Sequence, residues 1–318
     1  MGRNNARHRD SRLRPPQSQR GVALITAILV VALAMIWVSS ILWTDTLQKR
    51  RVASLLLNDQ AMLYALGAES WAHDILKLDL EDGPTDHLTE EWAIPLPPLP
   101  VDGGQIEGQL EDLQGRFNVN NLITPAGLPD QISTEIFRRL LESLQLNVSI
   151  AEYVIDWIDP DVDVSFPDGA EDDVYSGKTP PYRAANGPMT SISELRAVEG
   201  VDAEAYQLLA PHLTALPVGT TININTATVE VLSALSDDIS LIDAQSMFDG
   251  RIDAPFNSID EIRNDVSTPV LGQLSVSSDL FQASVLVTLG SNRLYMYSLL
   301  ERDSAGRVGT RLRSFGVD

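Results

Sequence analysis

The chain is predominantly apolar from Val22 to Trp43, and no charged residue falls in that run. Beyond it the hydrophobic positions thin to a helical period: Val52, Leu55, Leu56, Met62, Leu63, Leu66, Trp71, Ile75 and Leu78 recur near three- and four-residue spacings. The pattern predicts one helix from about residue 22 to residue 77, greasy in its first half and amphipathic in its second. At 1.5 Å per residue the apolar part rises about 33 Å, enough to cross a bilayer. A cleaved export signal has a shorter apolar region, about 7–15 residues, followed by a small-residue cleavage site. Here the run is longer and the helical pattern simply continues.

Residues 81–104, EDGPTDHLTEEWAIPLPPLPVDGG, hold five prolines and three glycines and read as a stiff connector. Residues 105–116 open with alternation around Ile106, Gly108 and Leu110, as in a strand or hairpin. A helical block follows over 117–267, with helices expected at 130–146, 149–158, 191–198, 202–212, 227–236 and 240–250. The period then changes to two at Phe281, Ala283, Val285, Val287 and Leu289. Turn sequences at 290–292 and 304–306 divide 268–318 into a three-stranded antiparallel meander. The order is long helix, strand, helical block, strands. This is an α+β chain in which the strands pack on the amphipathic half of the long helix and the helical block is an insertion between strands. Two echoes suggest that the block is duplicated: FNVNNL (117–122) parallels ININTA (222–227), and SISELR (191–196) parallels SIDEIR (258–263). In the latter pair Ser is placed to cap a helix with Glu at the third helical position.

Charge narrows the function classes. Of the 318 residues, 23 are Lys or Arg and 44 are Asp or Glu, a formal net charge of −21. Residues 1–21 carry Arg3, Arg7, Arg9, Arg12, Arg14 and Arg20 against Asp10, so their net charge is +5 and the remainder carries −21 − 5 = −26. A body this acidic repels nucleic acid and anionic lipid and is a suitable host for cations. There is no cysteine, which excludes disulfides, thiolate metal sites and cysteine nucleophiles. The four histidines, His8, His73, His87 and His212, are scattered, and no Gly-x-Ser-x-Gly elbow occurs. No catalytic set is visible.

The densest acidity lies in DWIDPDVDVSFPDGAEDDVY (156–175), with Asp156, Asp159, Asp161, Asp163, Asp168, Glu171, Asp172 and Asp173. One reading is a solvated acidic loop. The other is an ordered turn, which self-repulsion opposes unless a cation is bound. Calcium suits it, as a hard ion that takes six to eight oxygens in irregular geometry. Asp159, Asp161 and Asp163 stand where an EF-hand places its first three ligands, but the sixth position is Val164 and the twelfth Ala170. The expected site is therefore a non-EF-hand loop closed by Glu171, Asp172 or Asp173.

ININTA also opens some helix-hairpin-helix DNA-binding modules, which hold phosphate on backbone N–H groups of a glycine-rich hairpin. The corresponding stretch here, SDDISLID (236–243), has no glycine, and Asp237 and Asp238 would repel phosphate.

The junction at the start of the apolar run is the most specific local feature: a basic leader ends in Gly21, directly before Val22. It resembles the type III signal of type IV prepilins and type II secretion pseudopilins. That resemblance implies cutting after Gly21 by the prepilin peptidase on the cytoplasmic face, methylation of Val22, and retention of the apolar helix. Most prepilins have Glu at the fifth mature position, where this chain has Thr26. A missing glutamate, an inserted helical block, and the segments DLQGRFNVNNL and ININTA together resemble the general secretion pathway protein K family of minor pseudopilins. The resemblance implies a non-enzymatic protein, single-pass in the inner membrane with a periplasmic body. It also implies calcium in the helical insertion, a place at the filament tip, and I- and J-type minor pseudopilins and the major pseudopilin as partners, with no nucleic acid. The alternatives left are a minor pilin of a type IV pilus, a membrane-anchored DNA-uptake protein and a membrane-tethered hydrolase.

Overall fold

The computed structural model describes residues 19–316; most of the basic leader, through residue 18, lies outside the described residues. The chain forms two compact units, divided between Asp59 and Gln60. Helix α1, Gln19–Asp82, contributes to both, starting earlier and ending later than the apolar pattern predicts. In the first unit it exposes an apolar surface throughout 22–43, and its most apolar window has a mean hydropathy of 2.7 with nothing buried. This helix is long and apolar enough to cross a membrane.

The second unit is built on a five-stranded antiparallel sheet. Its strands are β1 (Leu96–Val101), β2 (Gly104–Asp112), β7 (Leu280–Leu289), β8 (Asn292–Arg302) and β9 (Val308–Gly316), in the order β1-β2-β7-β8-β9. The predicted meander is β7–β8–β9. Strand β1 corrects the sequence reading, which assigns LPPLPV to a connector. It pairs with β2 only at Leu96, Leu99, Pro100 and Val101, with a register shift between Leu96 and Leu99. Prolines cannot donate to a ladder, so they are tolerated only on an edge strand, as here. Gly104 starts β2 because a Cβ there would lie 1.8 Å from the Thr288 carbonyl oxygen.

The face of α1 that packs on the sheet is another correction. Of the large residues of the sequence pattern, Ile75 packs against the sheet core and most of the others do not make it. Ala61, Ala65, Glu69, Ala72 and Leu76 are the buried positions, and the three alanines leave room for the strands to approach the helix. Leu63, Trp71 and Leu78 stay exposed, and Met62, Leu66 and Ile75 are only half-buried. The sheet core adds Trp92, Phe281, Ala283 and Leu300, with Trp92 edge-on to Phe281 at 5.2 Å.

The helical block leaves after β2 and returns before β7, two hydrogen-bonded neighbours whose ends meet at the Asp112–Phe281 pair. It has its own core. It holds two similarly built copies, placed where the sequence echoes fall. The first copy runs β3 (Phe117–Asn118), α2 (Gln131–Ser143), α3 (Ile150–Ile158), a short α4 (Asp172–Tyr175), a 3-10 turn at Ile192–Ala197, α5 (Ala203–Leu209) and β4 (Leu213–Thr214). The second runs β5 (Ile222–Asn223), α6 (Val229–Ala234), α7 (Leu241–Asp253), a 3-10 turn at Ile259–Ile262, α8 (Thr268–Leu271) and β6 (Leu274–Ser275). Each copy closes on itself by a parallel two-residue bridge, β3 to β4 and β5 to β6.

Matching asparagines lock the copies. The Asn120 side chain donates to the Met189 carbonyl at 2.9 Å and accepts from the Met189 N–H at 2.8 Å; Asn225 makes the same two bonds with Phe256. Two residues later, Ser191 and Ser258 each cap their 3-10 turn. Glu194 completes a capping box at the first, whereas Glu261 reaches back to the Asn257 N–H. The second copy extends past residue 267 through α8, whose first turn accommodates Pro269, and β6. Regular sheet therefore resumes at Leu280 rather than at 268.

Candidate metal centre

The acidic stretch begins where α3 ends. This helix is buried nearly all round, including Glu152 and Asp156, so the chain emerging at Asp159 starts inside the protein. Asp156, fully buried, accepts the Ser165 N–H with both carboxylate oxygens at 3.1 Å. The turn closes with the Gly169 N–H on the Ser165 carbonyl at 2.7 Å, and a Cβ at Gly169 would meet an Asp156 carboxylate oxygen at 2.1 Å. The chain then re-enters the core at Ala170, Glu171 and Tyr175. Tyr175 packs edge-on against Trp157 at 5.1 Å and stacks on Tyr182 at 5.4 Å.

This path brings one carboxylate oxygen from each of Asp159, Asp161 and Glu171 within 4.8 Å of one another. Asp159 and Glu171 are buried, and Asp159 Oδ1 and both Glu171 Oε atoms have no hydrogen-bond partner. Nearby, the Asn186 amide donates to the Asp161 carbonyl at 2.6 Å while its own buried Oδ1 is unpaired. Burial, followed by the charges of Asp161 and Asp156, pushes the Asp159 carboxyl up to about 6. Burial and the neighbouring Asp156, Asp159 and Asp161 push Glu171 up to about 7. Buried, unpaired, mutually repelling oxygens are costly without a positive charge among them. The donor set fits a hard divalent cation.

Only part of the sequence-predicted set converges. Asp159, Asp161 and Glu171 meet. Asp163 does not join the three; its N–H is bonded to Asp161 Oδ1. Asp172 accepts the Ala184 N–H and faces Arg183 at 3.7 Å, and the exposed Asp173 carboxylate accepts the Val174 N–H. Asn186 was not among the expected ligands, and no local spacing connects it to Asp161.

A second carboxylate group, Asp79, Asp86 and Glu90, also lies within 4.8 Å. It already contains a cation. Arg302 Nη1 donates to Asp79 and Nη2 to Asp86. Around them the Asn223 amide donates to the Asp86 carbonyl, Asp112 and Ser278, tying the second helical copy to the end of α1 and to the sheet. At the other end of the chain, Gly21 and Val22 lie within α1, and the Thr26 hydroxyl donates to the carbonyls of Val22 (3.1 Å) and Ala23 (3.0 Å). The DNA-hairpin position holds Asp237 paired with Arg139 at 2.6 Å.

A long helix, apolar in its first half and laid on an antiparallel sheet by its second, with a helical block inserted between neighbouring strands, defines a pilin-like subunit with an added head. Models of the family described as "Type II secretion system (T2SS), protein K" match residues 115–218 and 222–288. Type II secretion system protein K of Pseudomonas aeruginosa is 36% identical, covering 94% of this chain and 94% of that protein. The Aeromonas hydrophila protein of the same name is 33% identical over 91% and 95%. Among solved structures, a chain of the crystal structure of the GspK-GspI-GspJ complex from the enterotoxigenic Escherichia coli type 2 secretion system superposes with a TM-score of 0.75. It is 31% identical, covering 84% of this chain and all of that one. The chain belongs to the protein K family of the type II secretion system, whose members are minor pseudopilins. The readings as a type IV pilus subunit or a DNA-uptake anchor are not favoured by these matches.

Proposed function

We propose that the chain is a non-catalytic tip subunit of the pseudopilus, anchored in the inner membrane with its body in the periplasm, and that its helical head is organised by calcium. The observation that carries the tip position is where the head is attached. It springs from the β2 and β7 ends at Asp112 and Phe281, and the Arg302 cluster binds it to the C-terminal end of α1 in the same unit. The head thus sits at the end of this unit opposite to the entering helix, where it would obstruct a subunit stacked beyond it.

The exposed Leu63, Trp71 and Leu78 leave α1 a surface for the helices of I- and J-type minor pseudopilins and of the major pseudopilin. Calcium is supported by the unpaired oxygens of Asp159 and Glu171, with Asp161 and Asn186 completing a hard oxygen set. The prepilin peptidase would act between Gly21 and Val22. Immunogold labelling of assembled filaments tests the reading: label confined to filament ends, in substoichiometric amount, is expected, and regular label along the shaft contradicts it.

A further inference from the structure

The second copy supplies an internal control for the acidic loop. Between α3 and the cap Ser191 the first copy spends residues 159–190; between α7 and the equivalent Ser258 the second spends only 254–257. Both routes end in the same lock, Met189 on Asn120 and Phe256 on Asn225. The helical copy therefore folds and closes without the long loop. What the loop adds is a tip.

That tip is apolar, and it faces water. Val162 is 66% exposed, Val164 53% and Phe166 93%. Single exposed apolar residues are ordinary, but here three fall within five consecutive positions. The backbone beneath them is held after Phe166 by the Gly169 N–H on the Ser165 carbonyl and by Ser149, whose hydroxyl donates to Asp168, and before it by three further bonds. The Asp163 N–H bonds Asp161 Oδ1, the Asp161 carbonyl accepts from Asn186, and the Ser165 N–H is fixed to the buried Asp156. A held loop loses little freedom on binding, and a projecting aromatic is the side chain that most often anchors an interface.

Charge selects the occupant. Residues 159–175 hold seven acids and no Lys or Arg, and Asp161, Asp163, Asp168 and Asp173 are exposed beside the apolar tip. Such a rim repels an anionic membrane surface.

We propose that Val162, Val164 and Phe166 form a docking finger for a protein component of the secretion apparatus that offers an apolar pocket rimmed by Lys and Arg. The inference rests on the cation reading only for the stiffness of the loop. It goes beyond that reading in assigning the tip a partner.

The test uses the full-length protein in secreting cells, with benzoylphenylalanine introduced at Phe166 and, as a control of similar exposure, at Ile242. The expected product is a crosslink from position 166 to a peptide of one apparatus protein, flanked by Lys or Arg, that is lost when those flanking bases are changed to Glu. In parallel, Phe166→Ser should lower secretion about tenfold and Phe166→Leu should restore it, with the melting temperature and the calcium response of both variants unchanged. A lipid adduct, a yield at 166 no higher than at 242, an acidic or uncharged crosslinked surface, or normal secretion by Phe166→Ser overturns the proposal. If the crosslink forms while chelator leaves the melting curve unchanged, the cation reading fails and the docking finger stands.

Discussion

Arg302 of β8 meets Asp86 in an ion pair of 2.5 Å, and both side chains are almost completely buried. The same guanidinium donates to the Leu76 carbonyl, Asp79 and the Ser278 carbonyl, so one side chain ties the end of α1, the loop after it and the approach to β7. It also stacks over Phe281 at 5.1 Å.

Removing that guanidinium leaves Asp86 buried without a countercharge, holding only the bond from the Ser278 N–H. Arg302→Met should destabilise the detergent-solubilised protein by about 3–5 kcal/mol, the usual cost of breaking one side of a buried pair. Arg302→Lys should recover only part of it, because a single ammonium cannot reach four acceptors in the plane of the guanidinium fork. A melting temperature within a degree of wild type for Arg302→Met would show that the cluster does not hold the head on the sheet.

The metal centre makes a prediction that separates the residues that converge from those that do not. If calcium binds only the folded state, saturation at about 100 times the dissociation constant stabilises by about 2.7 kcal/mol. Chelator should lower the melting temperature and calcium restore it, with magnesium less effective because it dehydrates reluctantly. Asp159→Asn and Glu171→Gln should abolish the response; Asp163→Asn, Asp172→Asn and Asp173→Asn should keep it. The folded-state carboxyls of Asp159 and Glu171 sit at about 6 and about 7, above their ordinary values. In chelator their ionisation therefore opposes folding above pH 7, and that penalty is relieved as pH falls through 7 and 6 towards 4. The calcium effect should be largest at neutral pH and small by pH 5, where protons occupy the site. Equal melting curves with and without chelator at pH 7.5 would return the stretch to a solvated loop.

How much of this is visible in the sequence depends on which physical signal decided each element. Strands β7 and β8 are legible because each has one buried face, so residues alternate from Phe281 to Leu289. The repeated caps are legible because capping needs particular side chains at fixed offsets. The identity of the sheet-facing stripe on α1 is not. Ala61, Ala65 and Ala72 carry little hydrophobic weight, and close approach rather than bulk selects them. Strand β1 is hidden by Pro97, Pro98 and Pro100, which argue against any ladder until the edge is seen. Among the acids, burial separates Asp159 and Glu171 from Asp172 and Asp173. Burial comes from the return of the chain onto Trp157 and Tyr175, a contact that spacing does not encode.

Glu69 predicts acid sensitivity at the helix–sheet contact. Burial alone would raise its carboxyl, but hydrogen bonds from Arg313, Ser298 and Thr310 outweigh it and hold the value at about 2. Because the folded value lies below the ordinary 4.5, the stabilisation is complete above pH 4.5 and is lost as pH falls from there towards 2. Glu69→Gln should lower the melting temperature at pH 7 and flatten its fall over that acid range. An unaltered acid limb in Glu69→Gln would assign the sensitivity to other carboxylates.

Processing at the start of α1 is testable by mass. The membrane form is expected to begin at a methylated Val22. Gly21→Leu should accumulate precursor, because a branched side chain obstructs a peptidase site that accepts glycine. A mature protein that keeps the arginine leader, or one cut after Trp43, would contradict the assignment.

The exposed side of α1 carries the last prediction. In the second unit the sheet takes Ala61, Ala65, Glu69, Ala72 and Leu76, and leaves Leu63, Trp71 and Leu78 in water at 69%, 44% and 59% exposure. Their spacings of eight and seven residues keep them near one side of the helix, so they form a stripe rather than scattered sites. Replacing exposed residues changes the stability of the subunit by no more than about 0.5 kcal/mol. The same residues buried between helices would each be worth about 1.5–3 kcal/mol. Leu63→Ser together with Trp71→Ser should therefore leave the melting temperature within about two degrees of wild type and weaken co-purification with I- and J-type minor pseudopilins at least tenfold. Leu78→Ser should act in the same direction. Two other outcomes would move the assignment elsewhere. Loss of folding in the double variant would mean that these side chains belong to the subunit core. Unchanged co-purification with intact folding would place the partner surface on the sheet or the head instead of the helix.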